Sequence, residues 1–596
     1  MPRHAIALFG SLCLAFLGSA CVGTASSEGA SGQGGKTGES EAGGQAGTRG
    51  GSGGRGGTAG QAGGGGMSDP GAGPRDAGPA PDAPPPDVGP PPDLAPPAPR
   101  WARDVQITLV EIAQGAFAKL GDGEEVVDLD DRTAVVIEGR DIILRAHVQA
   151  AADFEPRPLR AVLTVSAPGA AAPGEPGATA PGGDAGAPGA GGDAGPAATM
   201  RLEDQRQIAG SSRAEDLTST FNFRIPAALV KTKSAVSLEI FEAAADGPAP
   251  PEPDPLPRFP QSGTAADLGV KAGFMVLDVV LIPARGPSGP LDDAPARRKR
   301  LENHLFDVYP VQKLNVRWHE TVTVGGNLST GDAFAILRDL RERENARPYE
   351  YYHLLVANED TRDNLLGIAN SAGAGSNQGP RRIAMSFVRQ HRVDSVLDTT
   401  SHEIGHNHGR AHAPNCNAQG TDDDYPYPNG ALGVTGYSLS DDELFATTRR
   451  FDLMGYCSPT WISDYTWNGF EARVRAVSAF PRGDTSTPLS SFSLQGFLSA
   501  GQAEPGWGLV RGDLVAEGAE GGGEETRGTA VLTLADGRRR QVAASLQMLS
   551  DGKTRELAVS LGGPEEVVGA EVRVGGQVFS VPEAALAGPG RGFERR

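Results

Sequence analysis

HEIGHNHGRAH, residues 402–412, gathers four of the ten histidines in a chain of 596 residues. On an α-helix, residues four apart stack on one face, so His402 and His406 point the same way and can reach one ion. Glu403 lies about 100° further round the axis, beside that ion rather than on it. Gly409 permits a positive φ, which lets the chain leave the helix sharply and swing His412 back as a third donor. Three neutral imidazoles with one open position are the donor set of a catalytic zinc site, not of a closed structural one. Glu403 is then placed to take a proton from a water and to return it to a leaving amine. His408 stands about 200° round from His406 and cannot share the ion while the helix persists, so it is assigned to packing or to support of the ligands. The alternative, a histidine-rich helix with no metal, has no need of all five spaced positions of HExxHxxGxxH.

The surroundings of this helix, expected from Asp394 to His408, alternate between strand and helix. LNVRWHETVTV, YYHLLVANE and RRIAMSFV read as strands, and LLGIANSAGAGSNQGP as a short strand or ragged edge. STGDAFAILRDLRERENA reads as a helix with Ser329 as N-cap and Phe334, Leu337 and Leu340 on one side. Residues 290–481 therefore form an α/β (α+β) catalytic domain. Both flanks change to period-two patterns with turn formers. Residues 101–285 are expected to be a β-sandwich-like domain, closed by FMVLDVVLIPA and interrupted by a disordered insertion near 167–199. Residues 482–596 are expected to be a C-terminal β-rich domain in which nothing suggests catalysis. The fold class is multidomain.

The N-terminus reads as an export signal over residues 1–20, with a short basic start and an apolar stretch of about a dozen residues. LGSAC resembles the lipobox of bacterial lipoproteins and makes Cys21 the lipid-bearing residue; plain secretion after Ala20 is the alternative. Residues 21–100 are Gly-rich and then Pro-rich, a disordered tether without the apolar content for a core. A net charge of −20 argues against a nucleic-acid footprint, and RRKR at 297–300, the densest basic cluster, reads as a solvated interdomain surface rather than a binding patch. Cys416 and Cys457 are the thiols left in the folded part, and in an oxidising compartment a disulfide is the simplest reading; a metal-binding cysteine is the weaker one.

Taken together, HExxHxxGxxH and the later RFDLMGYC resemble a metzincin zinc metallopeptidase, with His402, Glu403, His406, Gly409, His412 and Met454 at the family's positions. The resemblance covers about residues 290–480 and implies that Met454 floors the site without binding metal. It implies that Tyr456 can stabilise the oxyanion, a buried hydrogen-bonded tyrosine being the alternative, and that a Cys416–Cys457 bridge would clamp the two halves of the site. It also implies that an extended substrate pairs with an edge strand, for which Leu366 to Ser371 is the candidate. Ala413 stands where several subfamilies carry an acidic or aromatic residue, which leaves the subfamily unassigned. Residues 22–415 hold no cysteine, so a cysteine-switch latency is excluded. TDDDYPYPNG could bind calcium through Asp422, Asp423 and Asp424, or be a solvated acidic loop, and WISDYTW is expected to pack beneath the site.

The expected protein is an exported, lipid-anchored zinc endopeptidase of extracellular proteins or glycoproteins, held at a bacterial outer membrane or cell surface, or otherwise secreted. A zinc amidase of cell-wall peptide and a non-catalytic surface adhesin with an idle metal site are the alternatives. An idle site has no need of Glu403, which is not a ligand.

Overall fold

The computed structural model describes residues 99–169, 198–244, 250–286, 288–325, 328–357, 365–389, 393–482, 491–515, 525–562 and 566–586. The export signal, Cys21, the tether as far as residue 98 and most of the insertion lie outside the described residues. No described helix is long and apolar enough to cross a membrane.

Two sheets open the fold. One contains β1 (Val105–Ala113), β2 (Phe117–Asp122), β3 (Ile142–Ala150) and β6 (Phe221–Ile225); the other contains β4 (Arg157–Ala167), β5 (Ala198–Ile208) and β7 (Ala235–Glu242). The inward residues of both, among them Ile112, Leu144 and Phe223 from the first and Leu163 and Ile240 from the second, share one core. β4 and β5 pair antiparallel out to Ala167 opposite Ala198, so the insertion joins the tips of one hairpin. That is the site where added chain costs least, because its ends are already together.

The strand FMVLDVVLIPA departs from the sequence expectation. As β8 (Val276–Arg285) it joins the next sheet rather than closing the first pair. It pairs parallel with β9 (Lys313–Trp318) and with β10 (Glu350–Ala357), and β10 pairs parallel with β12 (Ile383–Val388). β11 (Gly367–Ala369) runs antiparallel on the far side of β12, at the sheet's edge. Parallel strands covered on both faces are apolar nearly throughout, as β8 and β10 are. Leu277, Val279 and Leu281 face α1 (Pro295–Val308), α3 (Val393–Asn407) and α4 (Asp464–Ser478). Val280, Ile282 and Ala284 face α2 (Thr330–Arg343). Ser329 caps α2 by accepting the amide of Asp332, and Phe334, Leu337 and Leu340 are buried as expected. Trp461, Trp467 and Phe470, in and just before α4, lie in the core under α3.

The last sheet is a single antiparallel sheet of seven strands. Its spatial order is β14 (Gly506–Arg511), β13 (Phe492–Leu498), β17 (Arg555–Gly562), β16 (Arg539–Met548), β15 (Glu525–Leu534), β18 (Val567–Val574) and β19 (Gln577–Val581). It docks on the outer face of α2 and on the turn before β12. Arg338 donates to the carbonyls of Gln495 (3.0 Å) and Gly506 (2.9 Å), and Phe334 packs on Phe497. Arg381 and Glu556, both buried, form an ion pair at 2.7 Å. Leu549, at the end of β16, enters the same core as Ile368 and Met385.

Candidate metal centre

α3 carries His402 and His406 one turn apart on a buried face. The helix stops where expected: Gly409 has φ +78°, and its amide donates to the carbonyl of His406 at 2.8 Å. The chain then turns so that His412 comes back to the pair. Its backbone is fixed there, with the amide of Asp422 on the carbonyl of His412 (2.8 Å) and the amide of Ala413 on the carbonyl of Met454 (2.9 Å).

Each ring is held by a backbone carbonyl. Nδ1 of His402 lies 2.8 Å from the carbonyl oxygen of Leu453, that of His406 2.7 Å from Arg410, and that of His412 2.5 Å from Gln419. A carbonyl only accepts, so these contacts put the proton on Nδ1 and leave each Nε2 as a bare lone pair. Nε2 of His406 is 3.0 Å from Nε2 of both His402 and His412. Lone pairs aimed at one point from such distances repel, and a cation at that point removes the repulsion. Burial, reinforced by the charge of His412, holds His402 down to about 3, and burial likewise lowers His406 and His412. Three neutral imidazole nitrogens fit zinc better than hard, oxygen-seeking ions. Among the described residues, this triad is the one group of three or more His, Cys, Asp or Glu donors close enough together to hold an ion.

The supports lie on a second segment, residues 451–457. Met454 is buried, and its Sδ would be 2.4 Å from a Cβ added at Gly405, so it presses on the helix between the two ligand turns. Asp452 shapes that turn by accepting the amides of Met454 (2.7 Å) and Ser463 (3.1 Å). Cys416 and Cys457 are disulfide-bonded, with Cα atoms 5.4 Å apart, which leaves no free thiol among the described residues. Beside the bridge, the Asn415 side chain accepts the amides of Tyr456 (2.6 Å) and Cys457 (3.3 Å), a tie that sequence reading missed.

Glu403 is buried next to the triad, and a Cβ at Gly367 would lie 2.4 Å from its Oε1, so the carboxylate rests directly on the edge strand. Burial pushes its proton affinity well up, Asp551 adds to this, and a hydrogen bond from Ser550 opposes it. Tyr456 is half-exposed at the mouth, its ring 4.6 Å from that of His412, and burial with the charges of Glu403 and Asp551 pushes its hydroxyl up to about 12. At 48% exposure it differs in burial from the buried, hydrogen-bonded tyrosine of the alternative reading. His408 points the other way. It stacks on Tyr351 at 4.7 Å, and its Nδ1 donates to the carbonyl of Ile404 at 2.8 Å.

The acidic loop does not gather round a point. Asp422 accepts from Arg410 (3.0 Å) and from the hydroxyl of Tyr465 (2.9 Å), while Asp423 and Asp424 face solvent. Calcium thus has no assembled donor set among the described residues of this loop.

A cavity of about 810 Å³ opens in front of the triad, lined by Glu403, Tyr456 and Gly367 and also by Ser550, Asp551 and Lys553. The last three belong to a turn of the last sheet. The sequence of this sheet carries no sign of a site, yet the turn between β16 and β17 reaches Glu403, with Ser550 Oγ 3.2 Å from its Oε2. Nothing in the composition of LSDGKT marks it as part of a site, because its role comes from docking. No protein-family model matches the chain, and no curated protein is found to be similar to it.

Proposed function

We propose that the chain is an exported zinc-dependent endopeptidase of the metzincin type, acting on extracellular proteins, with Cys21 as its lipid anchor. The observation that carries this reading is the convergence of three carbonyl-oriented Nε2 atoms beside a buried carboxylate that is not itself a donor. Zinc held by His402, His406 and His412 would supply Lewis acidity to a water and to a peptide carbonyl in the cavity. Glu403 accepts a proton from that water at its carboxylate and later delivers it to the departing amine. Tyr456, protonated at neutral pH, donates from the mouth toward the carbonyl oxygen as negative charge develops there. Gly367 to Ala369, on the sheet edge beside Glu403, are the residues with which the backbone of an extended chain would pair.

The test compares the purified chain with Glu403→Ala, which keeps all three ligands. Both forms bind one equivalent of zinc, and the variant hydrolyses an acylated dipeptide amide at least about 10²-fold more slowly. Equal background hydrolysis by both zinc-loaded forms, even of the short amide, overturns the reading in favour of a binding protein. Activity restricted to peptidoglycan fragments assigns the site to a cell-wall amidase.

A further inference from the structure

The edge strand beside Glu403 already has a partner. The amide of Asn370 donates to Ile383 (3.2 Å) and that of Phe387 to Leu366 (2.7 Å), so alternate residues of β11 serve β12. Gly367 and Ala369 therefore turn their N–H and C=O groups outward, away from the sheet. At Ala369 both groups are taken by one residue. The amide of Ala369 donates to Ser550 Oγ at 2.8 Å, and the amide of Ser550 donates to the carbonyl of Ala369 at 3.1 Å. Further along, the side chain of Gln547 donates to the carbonyl of Ser371 at 3.2 Å. Gln547 and Ser550 thus meet Ser371 and Ala369 on the outer side of β11, the lane that an added strand would use.

The turn that fills this lane is well braced. Its ends close through the Leu549 amide on the Thr554 carbonyl (2.9 Å) and the Gly552 amide on the Leu549 carbonyl (3.0 Å). The Asp551 carboxylate accepts the amides of Lys553 (2.9 Å) and Thr554 (2.8 Å). Leu549 is buried among catalytic-sheet residues, and Thr554 Oγ1 meets Thr330 Oγ1 at 2.8 Å. Ser550 then joins the edge strand to the acid, since the same Oγ lies 3.2 Å from Glu403 Oε2.

We infer that the turn Ser550–Lys553 is an intramolecular occupant of the substrate-pairing edge, so that the chain holds its own site latent until the turn is displaced or cut. The inference rests on the hydrolase reading, since an edge that receives no substrate needs no occupant. A peptide strand entering the lane must first break both Ser550–Ala369 hydrogen bonds. A ligand small enough to reach the triad without the edge strand meets no such obstacle.

The test uses the full chain, zinc-loaded, with Ser550–Lys553 replaced by Asn-Gly, a two-residue turn that spans Leu549 and Thr554. Two probes are titrated, a fluorescent tetrapeptidyl hydroxamate and acetohydroxamate. Shortening the turn should tighten the peptidyl probe about tenfold or more, on the order of two recovered backbone hydrogen bonds, and leave acetohydroxamate within about twofold. The same selective gain is expected in the Glu403→Ala background, where turnover plays no part. Ser550→Gly keeps the turn, removes its Oγ contacts, and should give about a threefold gain; it decides the matter if the shortened turn does not fold. Unchanged affinity for the peptidyl probe in folded variants overturns the inference and leaves the hydrolase reading standing. Absence of acetohydroxamate binding by every zinc-loaded form overturns the hydrolase reading, and the inference with it.

Discussion

Replacing His408 by Phe separates the three converging histidines from the packing one, and its cost can be worked out from the structure. His408 is buried, stacked on Tyr351, with no partner for Nε2. Its Nδ1 bond to the carbonyl of Ile404 is dispensable, because that carbonyl also accepts the backbone amide of His408 at 3.0 Å. Burial, with the charges of Arg473 and Arg382, holds this imidazole down to about 3, against about 6.5 in an unfolded chain. Between those values the unfolded chain binds the proton and the folded one does not, so stability is present above about 6.5 and is lost as pH falls. From pH 8 to pH 5 the loss through this one residue is about 2 kcal/mol. Phe removes the titration and adds one ring atom, an overpacking cost of about 1 kcal/mol that is the same at both pH values. Urea unfolding with chelator present, so that ligand protonation is common to both forms, should show the pH 8 to pH 5 loss reduced by about 2 kcal/mol in His408→Phe. Zinc stoichiometry should stay at one in this variant and fall to zero in His412→Phe. An unchanged pH dependence, or loss of zinc from His408→Phe, would refute the assignment.

Gly367→Ala places a Cβ 2.4 Å from Glu403 Oε1 and must push the carboxylate aside. Zinc content should be unchanged while kcat falls roughly 10- to 100-fold, as for a displacement of about 1 Å in a catalytic group; full activity would show that Glu403 does not work from this position. Replacing Cys416 and Cys457 together by Ala opens a loop with a sequence separation of 41 residues. Chain entropy then predicts a loss of about 4 kcal/mol, read by denaturant unfolding of the oxidised protein beside the variant; a loss below about 1 kcal/mol would show that Asn415 alone holds the two segments together.

What the sequence made legible is the part of the site that one helix and one turn determine. The spacing of His402 and His406, the break at Gly409 and the exclusion of His408 follow from helical geometry within about a dozen residues. The strands β10 and β12 were legible for a related reason, since burial on both faces leaves a continuous apolar run. β8 was assigned to the wrong sheet because an apolar run does not say which strands flank it. That is decided by α1, whose charged sequence PARRKRLENHLFDV hides the buried stripe of Leu301, Leu305 and Val308. The ties at Asn415 and Ser550 were not legible at all. Asn415 meets Tyr456 across 41 residues and Ser550 meets Glu403 across 147, and neither residue type at its position carries a local signal. The local part decides whether chemistry is possible, and the docked part decides what can reach it. A substitution in the turn Ser550–Lys553 should therefore change access without changing metal affinity, whereas one at His402 or His406 changes both, and that asymmetry is measurable by zinc titration beside the same two hydroxamates.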